Sequence, residues 1–157
     1  MHQLRDQVGG ILPLSGVDFV LRLALAALLF YASADKIIHP ADFASIVKDY
    51  RILPEFLVNP VALWLPWFEL VLGVCLFTGW MAEGAAVSTA ALFAAFWLML
   101  IVNYFRGINV ACGCFSTSAE EARPMLFYIG RDAILLALAL LTAWVRLGVA
   151  GTNTSES

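Results

Sequence analysis

The sequence predicts an all-α fold, a polytopic four-transmembrane-helix bundle with a short interfacial helix between helices 1 and 2. The chain is 62% hydrophobic and only 13% charged, whereas a soluble domain carries about 25% charged residues. Its four long apolar runs each have about 18 to 21 residues, enough to cross a hydrocarbon core of about 30 Å as a helix. The runs are Val17–Ala34, Val61–Trp80, Ala85–Phe105 and Met125–Val145.

The composition leaves no polar stretch long enough for a second domain. We therefore divide the chain into an N-terminal tail (1–16), a four-helix membrane domain (17–147) and a disordered C-terminal tail (148–157). The net charge of −3 gives no reason to expect a nucleic-acid partner. We interpret the first run as a retained helix and not as a cleaved signal, because Arg22 interrupts it and no basic region precedes it.

A short amphipathic stretch follows the first run. Apolar residues recur there at helical spacing, and polar residues occupy the other side, which is typical of a helix lying in the membrane interface. The apolar positions are Phe43, Ile46, Val47 and Tyr50. Pro54 is expected to end this helix, and Pro66 is expected to kink the second membrane helix.

Polar residues converge on one side of the predicted bundle. Since consecutive spans alternate in direction, the end of helix 1, the start of helix 2, the end of helix 3 and the start of helix 4 share that side. The residues placed there are Asp35, Lys36, Glu69, Asn103, Cys112, Cys114, Arg131 and Asp132.

Two of these charges lie at similar depths. Glu69 lies about 12 Å into its span and Arg131 about 9 Å, at about 1.5 Å per residue, so we expect the two to pair. A structural salt bridge is the alternative to a functional site, although ionisable residues inside a membrane are more often functional. Arg22 lies on the opposite side and is interpreted as a structural residue that reaches the headgroups.

Cys112-Gly113-Cys114-Phe115 lies in the loop before the last span. Thiols one residue apart can close a small disulfide ring, and the glycine between them relieves the tight backbone. Three interpretations remain open: a metal site, incidental thiols or a redox dithiol. A structural zinc site needs four ligands, so no metal is predicted and a redox dithiol is favoured. Cys75, inside the second run, is interpreted as a small buried hydrophobe.

The chain resembles the MauE-like branch of the DoxX-related membrane proteins. Two segments carry most of the resemblance, Pro66-Trp67-Phe68-Glu69-Leu70 and Cys112-Gly113-Cys114-Phe115. Further matching positions are Arg22, Asp35, Lys36, Pro40, Phe43, Tyr50, Leu53, Pro54, Gly73, Gly79, Arg131 and Asp132. Ser116 replaces a glycine of many relatives, and Asp132 replaces a common asparagine. The resemblance implies a multi-pass inner-membrane protein that works with a thioredoxin-like partner in disulfide formation of secreted enzymes.

These observations lead to a functional hypothesis. The protein is expected to pass electrons between a thioredoxin-like partner and a membrane acceptor, with Cys112 and Cys114 as the reactive pair. Lys36, Glu69, Arg131, Asp132 and Asp35 are expected to support them. No covalently bound cofactor is predicted, and a quinone acceptor is suggested only by analogy with other membrane thiol oxidases. Enzymatic activity of its own stays open.

Two alternatives use the same residues differently. The protein could be a non-catalytic assembly or scaffold subunit, or a small quinone-binding or transport subunit that uses Glu69 and Arg131 without thiol turnover. Membrane sidedness is also open, because the excess of Lys and Arg in the first and third loops predicts a cytoplasmic cysteine loop. The family role implies the outer side, which we favour.

Overall fold

The computed structural model describes the backbone of residues 2–108 and 124–154, and side-chain environments over 16–108 and 124–147. Over these residues all regular secondary structure is helical. The helices are α1 (His2–Ile38), α2 (Pro40–Asp49), α3 (Glu55–Thr78), α4 (Ala82–Phe105) and α5 (Met125–Thr154). The cysteine pair at 112 and 114 lies outside the described residues.

Four of the helices are long and apolar enough to cross a membrane. Their spans are Gly16–Ile38, Glu55–Thr78, Ala82–Phe105 and Met125–Leu147. At most a third of the most apolar window of each span is buried inside the bundle, and the exposed surface includes Trp64, Trp80 and Trp144. The all-α membrane bundle predicted from the sequence is confirmed.

The helical backbone extends further than the sequence predicts at both ends. α1 begins at His2 and α5 continues to Thr154, so helix covers most of the two segments that the sequence assigns to tails. The second membrane helix also begins earlier, at Glu55 directly after Pro54, so that Pro60 lies inside the helix and not at its start. α3 continues unbroken through Pro66, and the kink stays a prediction.

The bundle consists of two closely packed helix pairs, α1 with α3 and α4 with α5. Gly73 permits the first contact, because a Cβ at this position would lie 3.0 Å from the Phe30 ring. The second pair is joined by a hydrogen bond that the Trp97 indole N–H donates to the Ile129 carbonyl, 3.1 Å away. The central core between the pairs includes Leu25, Leu29, Leu72, Leu76, Ala86 and Ala139.

α2 lies against α3, and the apolar face of its amphipathic pattern is the buried one. Phe43 and Tyr50 are buried, whereas Asp42, Ser45 and Lys48 are exposed. We call the side of the bundle where α1 and α4 end and α3 and α5 begin the loop end. Tyr50, Leu100 and Met125 form a second apolar core at this end.

Candidate functional site

The charged residues of the loop end form a buried cluster in the centre of the bundle. Lys36 comes from the last turn of α1, Glu69 from the middle of α3, and Asp132 from the second turn of α5. Their residues are 1%, 1% and 3% exposed, respectively. We refer to these three residues together with Arg131 as the central cluster.

Lys36 and Glu69 form the tightest ion pair of the cluster. The Lys36 ammonium donates to both carboxylate oxygens of Glu69, each at 2.7 Å. The nitrogen also lies 5.3 Å from the centre of the Phe43 ring and 5.6 Å from that of Phe96, within the range of cation–π contacts. A buried ion pair needs good geometry and further favourable contacts to offset desolvation, and this one has both.

Arg131 binds its neighbour in sequence. Its Nε and Nη2 donate to the same oxygen of Asp132, at 3.0 and 2.9 Å, and its guanidinium lies 5.5 Å from the centre of the Tyr128 ring. The Arg131 side chain is 28% exposed and that of Asp132 only 5%. The arginine therefore joins the buried carboxylate to the surface of the bundle.

The prediction that Glu69 pairs with Arg131 is wrong. Depth along the membrane normal does bring the two residues to a similar level, but Glu69 pairs with Lys36 and Arg131 binds Asp132. The reason is the close packing of α1 on α3, which lets the long Lys36 side chain reach Glu69. The predicted convergence of polar residues on one side is confirmed for Lys36, Glu69, Asn103 and Asp132, all of them buried.

A small cavity separates the two carboxylates. It has a volume of about 10 Å³ and is lined by Leu28, Ala32, Glu69, Phe93, Phe96, Asp132 and Leu135. This volume is close to what one water molecule needs. Asp132 also interacts electrostatically with Lys36, so the two carboxylates and the ammonium form one electrostatic unit.

A larger, apolar cavity opens beside the cluster, between α2, α3 and α4. We call it the side cavity; its volume is about 210 Å³. The lining residues are Phe43, Ile46, Val47, Tyr50, Ile52, Leu53, Val61, Leu65, Leu92, Ala95, Phe96 and Met99. Phe43 and Phe96, the two rings that contact the Lys36 ammonium, thus also form part of its wall.

Tyr50 is the one residue with a polar side-chain group in this wall. Burial raises the pKa of its phenol, and the nearby Asp132 carboxylate raises this pKa further, outweighing the lowering effect of Arg131. Tyr50 therefore stays protonated and neutral at physiological pH. The sequence placed Tyr50 on the apolar face of α2 but gave no signal that it would lie near Asp132.

Asn103 has an unusual environment in the last turn of α4. Its residue is fully buried, and neither the nitrogen nor the oxygen of its amide has a hydrogen-bond partner among the described residues. A buried amide without partners costs about 1–3 kcal/mol by mutational measurements. The convergence argument placed Asn103 at this end, but its missing partners could not be foreseen.

The backbone after Asn103 leaves the helix in a Schellman motif. The Ile108 N–H donates to the Asn103 carbonyl and the Gly107 N–H to that of Tyr104, while Gly107 adopts a φ of +70°. Ile108 then packs on the second apolar core, and the chain re-enters the described structure at Pro124, directly before α5. Both attachment points of the cysteine-containing segment therefore lie at the loop end.

The remaining predicted residues are more peripheral. Asp35 lies one residue before Lys36 and contributes to its electrostatic environment. Cys75 is half-buried and packs on the central core, as a small hydrophobe would. Cys112 and Cys114 lie outside the described residues, so their assignment as the reactive pair stays a prediction, as do the supporting roles of the cluster.

A second charged group lies at the opposite end of the bundle. Arg22 donates from Nε to the Leu76 carbonyl at 3.0 Å, and its Nη1 lies 3.7 Å from Asp18. Arg146 Nε lies 3.0 Å from the other Asp18 oxygen, although the orientation is not that of a hydrogen bond. The contact between Arg146 and Asp18 is thus mainly electrostatic, and the sequence did not reveal it.

Comparison with known proteins identifies relatives along most of the chain. The MauE protein of Paracoccus denitrificans, named methylamine utilization protein MauE, is 36% identical over 81% of this chain and 68% of its own length. Its namesake in Methylophilus methylotrophus is 34% identical over 86% of this chain and 72% of its own length. No solved structure matches significantly. Residues 14–145 match the family model described as methylamine utilisation protein MauE, and the chain belongs to this family of multi-pass membrane proteins.

Proposed function

We propose that the protein is the membrane component of a thiol–disulfide relay. Cys112 and Cys114 would cycle between a dithiol and a disulfide, taking electrons from a thioredoxin-like partner and passing them to a lipid-soluble acceptor, of which a quinone is the leading class. The relay would act in the inner membrane and support the maturation of a secreted enzyme. The relatives' names refer to methylamine utilisation, which suggests an enzyme of that process as the beneficiary.

The observation that carries this proposal is the position of the cysteine segment relative to the central cluster. Cys112 follows Ile108 by four residues, a distance that an extended chain covers in at most about 14 Å. Ile108 itself packs at the loop end, with Tyr50, Leu100 and Met125. The thiols are therefore attached within reach of the end of the bundle that holds its buried charges.

The chemistry of the cluster fits this role. Oxidation of two thiols releases two electrons and two protons, and only the thiolate attacks a disulfide. The carboxylates of Glu69 and Asp132 can accept protons, and the partly exposed Arg131 can stabilise negative charge near the surface. Lys36 gives both of its short contacts to Glu69, so its role is to hold that carboxylate rather than to approach a thiol.

Redox trapping tests the proposal. The protein should be isolated from membranes under acid quench and alkylated before and after reduction, and the mass of the peptide with Cys112 and Cys114 measured. We expect a disulfide that closes within the chain, and a mixed disulfide with a thioredoxin-like protein when Cys114→Ser leaves one thiol unresolved. Cys75→Ser is the matched control and should change neither result.

The scaffold alternative gives a different outcome. If both thiols stay freely alkylated under mild oxidation, and Cys112→Ser does not impair maturation of the secreted enzyme, the relay is contradicted. The central cluster would then serve only to hold the helices together.

A further inference from the structure

We propose that the side cavity is the binding site for the ring of a lipid-soluble quinone, which accepts the electrons of the thiol pair. This inference rests on the proposed function and assigns its acceptor a place. The cavity is formed by α2, α3 and α4 and adjoins the central cluster through Phe43 and Phe96.

The size of the cavity fits one substituted ring. An apolar cavity of about 150 Å³ accommodates benzene in another protein, and the side cavity measures about 210 Å³. Its wall is almost entirely apolar, and Tyr50 is the one lining residue whose side chain carries a polar group. Ligand sites typically combine apolar walls with a few polar groups that orient the ligand. A quinone ring would occupy the cavity, and its apolar tail would extend through the open side into the lipid.

The chemistry of the dithiol also limits the occupant. Conversion of two thiols to a disulfide breaks two S–H bonds, forms one S–S bond and releases two electrons and two protons. A quinone takes up these two electrons and two protons and becomes a quinol, so the exchange balances without another reactant. A phospholipid acyl chain could fill the same walls but could not accept electrons.

Two aromatic rings lie between the cavity and the central cluster. Lys36 lies behind the rings of Phe43 and Phe96, 5.3 and 5.6 Å from their centres. The ion pair of Lys36 with Glu69 is thus held one aromatic layer from the cavity, so that the cavity adjoins the central cluster without containing its charges.

A photoreactive azidoquinone with a ten-carbon tail tests the site directly. The purified protein in detergent should be labelled at about one quinone per chain, on residues of α2 and α4 such as Ile46 and Met99. Ala95→Phe places a phenyl ring in the cavity and should lower labelling at least tenfold. Ala91→Phe is the matched control, since Ala91 is exposed one turn away on the same helix and does not line the cavity; it should label like the wild type.

A second blocking variant guards against misfolding. Val47→Phe fills the cavity from α2 and should lower labelling even if Ala95→Phe does not fold. Labelling that persists in both folded variants, or that spreads over all lipid-facing helices, would overturn the assignment. Loss of the label on adding an equimolar phospholipid would identify the cavity as an acyl-chain site and would also overturn it.

The test separates this site from the relay itself. The variant with Cys112→Ser and Cys114→Ser should still be labelled, because the cavity contains neither cysteine. If labelling is specific but decylubiquinone fails to oxidise the thiols of the wild type, the relay fails and the quinone site stands. If decylubiquinone oxidises the thiols equally fast in wild type and Ala95→Phe, the relay stands and the site assignment fails.

Discussion

The two ends of the bundle hold their charges in different ways. At the loop end, Lys36 and Glu69 are almost completely buried and bind each other through both carboxylate oxygens. At the opposite end, Arg22 binds a backbone carbonyl, and its side chain and that of Arg146 keep 13% and 18% of their surface exposed. Glu69 lines the small cavity, and Lys36 contacts two rings in the wall of the side cavity, whereas the described cavities include no residue of the opposite end.

This difference is the reason why we propose a functional role for the charges of the loop end and a stabilising role for those of the opposite end. The Leu76 carbonyl, in the last turn of α3, replaces part of the water around the Arg22 guanidinium. The helix dipole favours a cation at this position. Such a contact serves to fix the end of a helix. The central cluster instead buries charges that apolar residues of similar size could replace without loss of stability. A buried ion pair is thus weak evidence for stability, and for this reason we propose a functional role for the central cluster.

The largest expected effect tests the pairing at the loop end. Glu69→Gln leaves the Lys36 ammonium buried without a carboxylate and should lower the free energy of unfolding by about 3–5 kcal/mol. Lys36→Met should have a similar effect. Combining both substitutions should cost clearly less than their sum, because neither charge is then left alone. Denaturant unfolding in detergent measures all three variants.

The same double-mutant cycle at the opposite end of the bundle should give a much smaller coupling free energy. Combining Asp18→Asn with Arg146→Gln should give a coupling below about 1 kcal/mol, as for partly exposed pairs. A coupling there as large as that between Lys36 and Glu69 would remove the distinction between the two ends.

A smaller effect is expected at the end of α3. Gly79 adopts a φ of +80°, and a Cβ there would lie 2.7 Å from Arg22 Nη2. Gly79→Ala should therefore lower stability by about 1–2 kcal/mol through backbone strain, and more if Arg22 loses the Leu76 carbonyl. Gly84→Ala is the control, because a Cβ at Gly84 would have no atom within 4 Å. This position lies inside α4, where alanine is favoured over glycine. Equal melting temperatures for the two variants would contradict this explanation.

Ionisation of the Tyr50 phenol at the loop end should make the stability of the folded protein depend on pH in the alkaline range. Its pKa is raised by burial and by Asp132, so the folded protein holds this proton more tightly than the unfolded chain. Stability should then fall as the pH rises above about 10, the ordinary pKa of tyrosine. Tyr50→Phe should weaken that fall without abolishing folding at pH 7. Parallel stability curves for the two proteins above pH 10 would show that Tyr50 does not contribute.

The smallest effect is expected at Asn103. Since its amide has no partner among the described residues, Asn103→Leu removes buried polar atoms that are not compensated by hydrogen bonds. Stability should change by less than about 1 kcal/mol or should increase. A loss above about 2 kcal/mol would mean that the amide is hydrogen-bonded in the folded protein, and hydrogen exchange of the α4 terminus would locate the change.

The sequence was sufficient to predict where residues lie along the membrane normal. Run length predicted the four spans, the spacing of Phe43 and Tyr50 predicted the buried face of α2, and alternation of direction brought Lys36 and Asp132 to one end. Rotation of each helix about its axis could not be read in the same way. In lipid, apolar side chains cover both the outside and the inside of a bundle, so the periodicity that marks a buried face is weak.

The wrong prediction of Arg131 as the partner of Glu69 arose because the rotation of each helix could not be predicted. Depth alone made Arg131 suitable, but the choice depends on which faces of α1, α3 and α5 meet. A lysine side chain is long enough to extend inward from the last turn of α1. The contact between Asp18 and Arg146 was missed for the same reason, since it joins α1 to α5 across the bundle. Neither the side cavity nor the small cavity between Glu69 and Asp132 could be predicted, because cavities depend on how the helices pack.

The partner of Lys36 also bears on how the chain enters the membrane. Glu69 follows Lys36 by 33 residues, so at about 5–20 residues per second the ribosome delivers it about 2–7 seconds later. During this interval the first span carries Lys36 without its carboxylate. A lysine costs about 2.5–3.5 kcal/mol at the membrane centre on insertion scales, and less in the last turn of a helix, where its side chain can reach the headgroups. Lys36 should therefore extend toward the headgroups at first and turn inward to Glu69 only when α3 packs against α1.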